Sequence, residues 1–335
     1  MKISDTKLPD VNELEMLLKS YTESSKKPIG RLFNFNNEQS HDTEISAYDE
    51  LMGLIGLQAV KKEIAKQISY ARIMQLREES GKTCPARIYN ILLSGNPGTG
   101  KTMCARLISR IFHEIGLLSK GHLVEVSRSS LVGRYIGETE ANTIRALESA
   151  QGGALFIDEL YTLCDTTTED TKDFGMRAID TLLPRITDLK DTIIIGAGYT
   201  DKIQRFMDAN PGLASRFPLI IGCADYSVNE LMDIGLQDLK KMDFDIEPAA
   251  MGCLRQLIKE AVLMPNFGNA RFIKTLLQDH IIPEFCRRVY EDILCGRLRI
   301  ENAGDANTIM PQDIPSIKTL FPIQKQTKKI GYHLS

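Results

Sequence analysis

Short apolar runs alternate with amphipathic stretches through the middle of this chain. The runs fall at residues 91–93, 122–126, 153–157, 192–195 and 218–221. Such runs are typical of strands that are buried on both faces of a parallel sheet. The segments before and between them carry apolar residues at helical spacing, chiefly over 60–79, 103–115, 138–150, 174–189 and 202–208. This alternation predicts an α/β fold in which helices cover both faces of a doubly wound parallel sheet.

The pattern changes at Asp225 and Tyr226. Ser227 and Glu230 have the spacing of a capping box, which predicts the start of a helix. Helical periods follow at 231–241, 249–263 and 270–288, and no strand pattern of comparable strength appears after them. These features predict a second, smaller domain made of helices, joined to the first by a hinge at residues 223–226.

The two ends of the chain differ from its middle. The predicted organisation is an N-terminal arm (1–46), an α/β domain (47–223), a helical domain (224–318) and a mobile C-terminal tail (319–335). The arm contains one amphipathic helix, with apolar residues at helical spacing from Val11 to Tyr21. Two interpretations of this helix stay open, because it can bind a partner or neighbouring subunit, or pack on its own domain.

Composition and charge limit the binding partners and the cellular compartment that the sequence predicts. The chain has 335 residues and a net charge of −3, which gives no overall attraction to nucleic acid or to anionic membranes. No apolar run approaches the ~20 residues that span a bilayer. Seven cysteines without a C-x-x-C pair, and a start without a secretory signal, predict a cytoplasmic protein with reduced thiols. Neither the cysteines nor the dispersed histidines indicate a metal site.

A glycine-rich stretch after the first predicted strand gives the strongest chemical signal. It fits G-x-x-x-x-G-K-[ST], the phosphate-binding P-loop, and lies between a strand and a helix as that loop requires. Backbone N–H groups and the helix N-terminus attract phosphate, Lys101 reaches the β/γ-phosphates and Thr102 binds Mg²⁺. A nucleoside triphosphate and Mg²⁺ are therefore the predicted ligands. The predicted contacts of this stretch are Gly95, Asn96, Pro97, Gly98, Thr99, Gly100, Lys101, Thr102 and Met103.

An acidic pair ends the third predicted strand. Asp158 and Glu159 stand where P-loop NTPases hold Mg²⁺ with one carboxylate and polarise the attacking water with another. Phosphoryl transfer also needs positive charge near the γ-phosphate. Arg216, after a loop that contains Pro211 and Gly212, and Arg271, at a helix start, are the candidates. From spacing alone, each arginine can equally form a salt bridge.

A segment ahead of the first long helix is the candidate for contact with the base. In P-loop folds a segment in this place lies beside the nucleotide base, so backbone groups at Ile55 and Gly56 are predicted to contact adenine. The alternative is an ordinary hydrophobic lead-in to the helix.

The order and content of these motifs resemble the AAA+ ATPases. The resemblance rests on the P-loop, on R-Y-I-G-E-T-E at 134–140 and on L-F-I-D-E at 155–159. Further motifs resemble the branch that contains the CbbX-type Rubisco activases and the stage V sporulation protein K-like ATPases. They are G-H-L-V at 121–124, D-E-L-Y at 158–161, A-G-Y at 197–199, N-P-G-L-A-S-R at 210–216 and N-A-R at 269–271.

This resemblance implies a homo-oligomer, a hexameric ring with each ATP at a subunit boundary. Arg216 is then the arginine finger for the neighbour's nucleotide, and Arg271 is sensor 2, which reports nucleotide state to the helical domain. Many AAA+ proteins have Asn as sensor 1, whereas the corresponding position here is Tyr199, as in the branch it resembles.

Tyr135, Ile136 and Gly137 match the aromatic–hydrophobic–glycine pore loop of the family. A tyrosine grips a peptide with little sequence preference, and glycine lets the loop move. The alternatives are a tyrosine packed on its own helix and, for the candidate second pore loop at 165–173, a plain surface loop.

The prediction is thus a Mg²⁺-dependent ATPase that remodels or threads a protein client. An ATP-gated assembly module with slow turnover is the alternative. A nucleic-acid-loading ATPase is a third hypothesis. The negative net charge and the aromatic pore loop argue against it.

Overall fold

A computed structural model describes residues 45–133, 135, 137–164, 172–186, 191–209, 211–265, 267–299, 301 and 306–321. Several predicted features lie outside these described residues. They are the N-terminal arm up to residue 44, Ile136 of the candidate pore loop, residues 165–171 of the candidate second pore loop, and the tail from residue 322.

Five parallel strands form the central sheet. They are β1 (Ile91–Ser94), β2 (Leu123–Val126), β3 (Ala154–Ile157), β4 (Ile193–Gly198) and β5 (Leu219–Gly222). Their order in the sheet is β2-β3-β4-β1-β5. Every residue of β1, β3 and β4 is buried, which explains why these strands are continuous apolar runs. Each predicted strand is present, and the predicted α/β fold is confirmed.

Helices cover both faces of this sheet. They are α1 (Ala47–Gly53), α2 (Gln58–Glu79), α3 (Lys101–Glu114), α4 (Arg128–Leu131), α5 (Glu138–Ser149), α6 (Lys172–Ile186), α7 (Thr200–Ala209) and α8 (Pro211–Arg216), with a 3₁₀ turn at Leu160–Cys164. Ile91 and Leu93 belong to one apolar core, with α1, α2 and α3, whereas Leu92 belongs to another, with α6 and α7. Successive side chains of β1 therefore point to opposite faces, as a strand requires.

Two segments outside the predicted helices and strands contain short helices. α4 lies in the first, where the Ser127 and Ser130 side chains form a capping box. α8 lies in the second and starts at Pro211. Proline at the first position of a helix loses no hydrogen bond, so the residue that indicated a loop begins a helix instead.

The chain beyond β5 is mainly helical. Its helices are α9 (Val228–Lys241), α10 (Pro248–Val262), α11 (Asn269–Thr275), α12 (Ile282–Leu294) and α13 (Ile317–Leu320), with a π-helical stretch at Leu276–Ile281 and a 3₁₀ turn at Pro311–Asp313. The predicted capping box is present, since Ser227 N–H donates to the Glu230 carboxylate at 2.7 Å and Glu230 N–H donates to the Ser227 hydroxyl at 3.3 Å. A short parallel pair, β6 (Asp245–Ile246) and β7 (Thr308–Ile309), is an addition that the pattern did not predict.

None of the described helices combines the length and the apolar character that crossing a membrane requires.

Candidate active site

The P-loop connects β1 to α3, and its shape needs glycine at two points. Gly98 and Gly100 have φ angles of +70° and +88°, which L side chains rarely adopt. A Cβ at Gly98 would also lie 2.0 Å from the Gly268 carbonyl oxygen. The Thr99 hydroxyl donates to the Asn96 carbonyl at 2.8 Å and closes the loop. The loop thus ends at the N-terminus of α3, whose first N–H groups lack partners within the helix and can bind an anion.

Lys101 begins α3 and turns back over the loop. Its Nζ donates to the Gly95 carbonyl at 2.9 Å and to the Asn96 carbonyl at 2.8 Å. Burial lowers the pKa of Lys101, an effect that the nearby Asp158 carboxylate opposes. The ammonium group is therefore held at the loop, half-buried and close to an acidic group.

The predicted acidic pair follows β3 in a tight turn. Glu159 has a φ of +48°, and its N–H donates to Asp158 Oδ1 at 2.9 Å. Both residues line a cavity of about 280 Å³. This cavity brings together most of the predicted phosphate-binding and catalytic residues, namely Pro97, Gly98, Gly100, Lys101, Thr102, Met103, Asp158, Glu159, Tyr199 and Arg271.

The lining of this cavity fits a nucleoside triphosphate with Mg²⁺. Lys101, the α3 N-terminus and Arg271 supply positive charge for phosphate oxygens. Thr102 and Asp158 supply the oxygen ligands that Mg²⁺ prefers.

A second cavity, of about 770 Å³, extends from Gly100 and Met103 into the space between the sheet domain and the helices after β5. Ile55 lines this cavity, as does Tyr226. Gly56 lies beside it and packs on the Tyr226 ring, since a Cβ at Gly56 would be 2.8 Å from that ring. The predicted base-binding segment therefore borders the space that continues from the P-loop.

A hydrogen-bond network joins the P-loop to the helical domain. Its centre is the buried Asn269 side chain at the start of α11, where φ is +49°. Nδ2 donates to the Pro97 carbonyl at 3.2 Å and to Asp225 Oδ1 at 2.9 Å, and Oδ1 accepts from Tyr226 N–H at 3.1 Å. Asn96 donates to the other Asp225 oxygen at 2.8 Å. The P-loop is therefore linked directly to the segment after β5 and to the start of α11.

Asn269→Asp should lower the thermal unfolding midpoint by several degrees and weaken ATP binding. The change keeps the side-chain shape but places a carboxylate against the Pro97 carbonyl and Asp225, which costs about 3 kcal/mol when the charge is buried. Calorimetry and nucleotide titration measure both effects. Asn229→Asp is the matched control, because exposed Asn229 accepts from Arg255 at 2.6 Å and a carboxylate can do the same. Equal midpoints for the two variants would contradict the network's role.

Arg216 does not line either of these cavities. Its Nε donates to the Leu183 carbonyl at 2.9 Å and its Nη1 to the Gly212 carbonyl at 2.8 Å. Asn90, which bonds to the Arg216 carbonyl at 3.0 Å and to Ile194 N–H at 2.7 Å, ties the end of α8 to β4. The structure thus keeps Arg216 on a fixed element, away from the nucleotide cavity of its own chain.

Tyr135 also lies outside the cavities, in the connection between α4 and α5. It is 75% exposed. Its N–H donates to Glu138 Oε2 at 3.2 Å, and Gly137 follows with a φ of +87°. The ring therefore projects from a turn that is anchored on the first residues of α5.

A P-loop that shares one cavity with an Asp-Glu pair defines the class of the protein, an ATP-hydrolysing P-loop enzyme. Comparison with protein families then identifies the family. Residues 91–224 match the ATPase family associated with various cellular activities (AAA), and residues 227–327 match the AAA lid domain. The chain therefore belongs to the AAA ATPase family, and we call the helical part after β5 the lid.

Curated relatives confirm the predicted branch of the family. The chain is 36% identical over 286 residues to stage V sporulation protein K of Bacillus subtilis, covering 84% of this chain and 85% of that protein. It is 39% identical to protein CfxQ of Xanthobacter flavus, covering 67% and 71%. It is also 39% identical to the chloroplastic ribulose bisphosphate carboxylase/oxygenase activase of Cyanidioschyzon merolae, covering 67% and 76%. A solved structure of a Thermotoga maritima RuvB variant is 21% identical, with a TM-score of 0.48, covering 82% and 73%.

Proposed function

We propose that this chain is a Mg²⁺-dependent ATPase that forms a hexameric ring and remodels or threads a protein client through a central pore. One observation carries the proposal. Tyr135 is exposed and projects from the turn that precedes α5. α5 is followed by β3, and β3 ends at Asp158 and Glu159. Membership of the AAA family and a relative that is named an activase of an enzyme support a protein client as a class.

The site residues divide by the part of the substrate that each contacts. Lys101 binds the β/γ-phosphates, Thr102 and Asp158 hold Mg²⁺, and Glu159 accepts a hydrogen bond from the attacking water. Mg²⁺, when bound, offsets the negative charge of the triphosphate. The remaining contacts come from Arg271 as sensor 2, Tyr199 as sensor 1, Ile55 and Gly56 at the base, and Arg216 of the neighbouring subunit.

The pore loop is coupled to this site through α5. Gly133 N–H donates to the Thr139 hydroxyl at 3.0 Å, so both sides of the loop are attached to the first turn of α5. α5 is followed by β3, whose end carries Asp158 and Glu159. The path proposed for coupling between Tyr135 and the acidic pair therefore runs through α5 and β3.

The lid provides the second moving part. We place the domain boundary at the hinge, with an ATPase domain at 47–223 and a lid at 224–318. The Asn269 network and Arg271 bring the lid to the P-loop, so nucleotide exchange changes the angle between the domains. The seven cysteines without a paired motif support a cytoplasmic location.

Tyr135→Ala should spare basal ATP hydrolysis and remove the grip on an unfolded polypeptide. Casein serves as the probe, and its binding to ATP-loaded rings is measured by fluorescence anisotropy. Loss of one gripping aromatic ring per subunit should weaken casein binding about tenfold. ATP turnover should stay within about twofold, because Tyr135 is not among the described residues that line the two nucleotide cavities.

Tyr290→Ala is the matched control, since Tyr290 is an exposed tyrosine (61%) on α12 of the lid. Loss of both ATP hydrolysis and casein binding in Tyr135→Ala would mean that the tyrosine is structural. Unchanged casein binding would contradict the pore role.

A further inference from the structure

The carboxylate of Glu159 has a partner that its proposed role does not use. The Tyr161 hydroxyl donates to Glu159 Oε1 at 3.2 Å. Tyr161 lies in the 3₁₀ turn that follows β3, and the left-handed φ of Glu159 (+48°) turns the chain so that the two side chains meet. Glu159 is exposed to the nucleotide cavity, whereas Tyr161 is buried behind it. One carboxylate oxygen is thus held from the protein side.

The Tyr161 ring is fixed by its surroundings. It packs on the Tyr199 ring, with centroids 6.1 Å apart, and the Lys202 ammonium lies 4.5 Å from its centroid. On the third side it contacts the end of β4, where a Cβ at Gly198 would lie 2.7 Å from the ring. Glycine at that point therefore makes room for Tyr161. A ring held on three sides keeps its hydroxyl in one place.

The hydroxyl remains a donor at any ordinary pH. Burial raises the pKa of Tyr161, and the neighbouring Glu159 carboxylate raises it further. A protonated phenol beside a carboxylate acts as a hydrogen-bond donor.

We infer that Tyr161 is a positioning residue for Glu159: it holds Oε1 and leaves Oε2 to accept a hydrogen bond from the attacking water. The inference rests on the proposed role of Glu159 in ATP hydrolysis. It also gives a physical reason for Gly-Tyr at the end of β4, because a larger residue at Gly198 would displace the Tyr161 ring. Tyr161 exchanges no proton with the water and forms no bond to phosphate, so its effect is on the geometry of the Glu159 carboxylate.

Tyr161→Phe tests this role, because it removes the hydroxyl and keeps the ring. We expect kcat for ATP to fall about tenfold, the usual effect of one hydrogen bond to a charged group. KM for ATP should stay within about twofold, and the unfolding midpoint should change little, because the apolar packing is retained.

The split between kcat and KM gives a readout that loss of packing would not produce. Loss of packing around the ring would lower the unfolding midpoint and weaken ATP binding, whereas loss of the hydrogen bond to Glu159 should lower kcat alone.

Tyr89→Phe is the matched control. Tyr89 is a half-buried tyrosine that packs edge-on against Phe112, and within the described part of the chain its hydroxyl makes no hydrogen bond. It should show wild-type kcat and KM. Wild-type values in Tyr161→Phe as well, or a kcat above wild type, would overturn the inference, as would a lowered kcat that comes with a lowered unfolding midpoint or a raised KM. If Glu159→Gln still hydrolyses ATP, the proposed role of Glu159 fails instead, so the two failures are distinguishable.

Discussion

Glu159→Gln should lower ATP turnover about a thousandfold, the scale of a lost general base, and should leave ATP bound. An amide cannot accept the water's proton, whereas the groups proposed for the phosphates and Mg²⁺ are untouched. Glu159 lines the same cavity as Lys101 and Thr102. Steady-state phosphate release measures turnover, and equilibrium binding of a fluorescent ATP analogue measures affinity.

Glu78→Gln is the control for this experiment, because Glu78 is an exposed carboxylate on α2 that lines neither cavity. Turnover of Glu159→Gln near the wild-type rate would show that another group activates water. A protein that stays in the ATP-bound state should also retain its client. Affinity capture with this variant, compared with Lys101→Ala, is therefore the direct route to the client's identity.

The phosphate-binding part of the site was predictable because its chemistry is local. The residues from Gly95 to Thr102 are consecutive, and the strand and helix on either side have clear periods. Asp158 and Glu159 end a run of buried residues, so the edge of the sheet at which they lie follows from the parallel strands. Such strands can be recognised in a sequence because burial on both faces makes every position apolar.

The contacts that connect the site to the rest of the chain were not predictable in this way. Asn269 and Pro97 are 172 positions apart, and no sequence period relates them. Glu159 and Asn269 both have positive φ angles. Residue type alone does not predict such an angle for a glutamate. Tyr161 is near Glu159 in sequence, yet only that unusual backbone angle brings its hydroxyl to the carboxylate.

The short elements were missed for a different reason. β6 and β7 contain two residues each, too few to show the alternation of a strand. Pro211 and Gly212 usually mark a loop, but proline also suits the first turn of a helix, and α8 starts there. Arg216, the proposed arginine finger, is the last residue of that helix.

Arg216→Ala should lower turnover about a thousandfold, as expected for an arginine finger, although the nucleotide cavity of the same chain stays intact. The side chain bonds only to backbone carbonyls, those of Leu183 and Gly212, within the described residues, and it lines neither nucleotide cavity. A guanidinium without a carboxylate partner keeps its charge available for phosphate oxygens of another subunit. Arg205→Ala, which changes an exposed arginine on α7, should keep wild-type turnover.

Mixing two inactive variants shows whether Arg216 acts on the nucleotide of a neighbouring subunit or on that of its own subunit. Arg216→Ala and Glu159→Gln subunits are each expected to be inactive alone. In a ring with head-to-tail contacts, an active site forms where a subunit with intact Glu159 meets a neighbour with intact Arg216. Random mixing in equal amounts should create such a pair at about a quarter of the boundaries, so turnover should return to about a quarter of the wild-type rate. Turnover that stays at zero in mixed rings, with both variants folded and assembled, would place Arg216 outside a shared site and remove the main support for ATP binding between subunits.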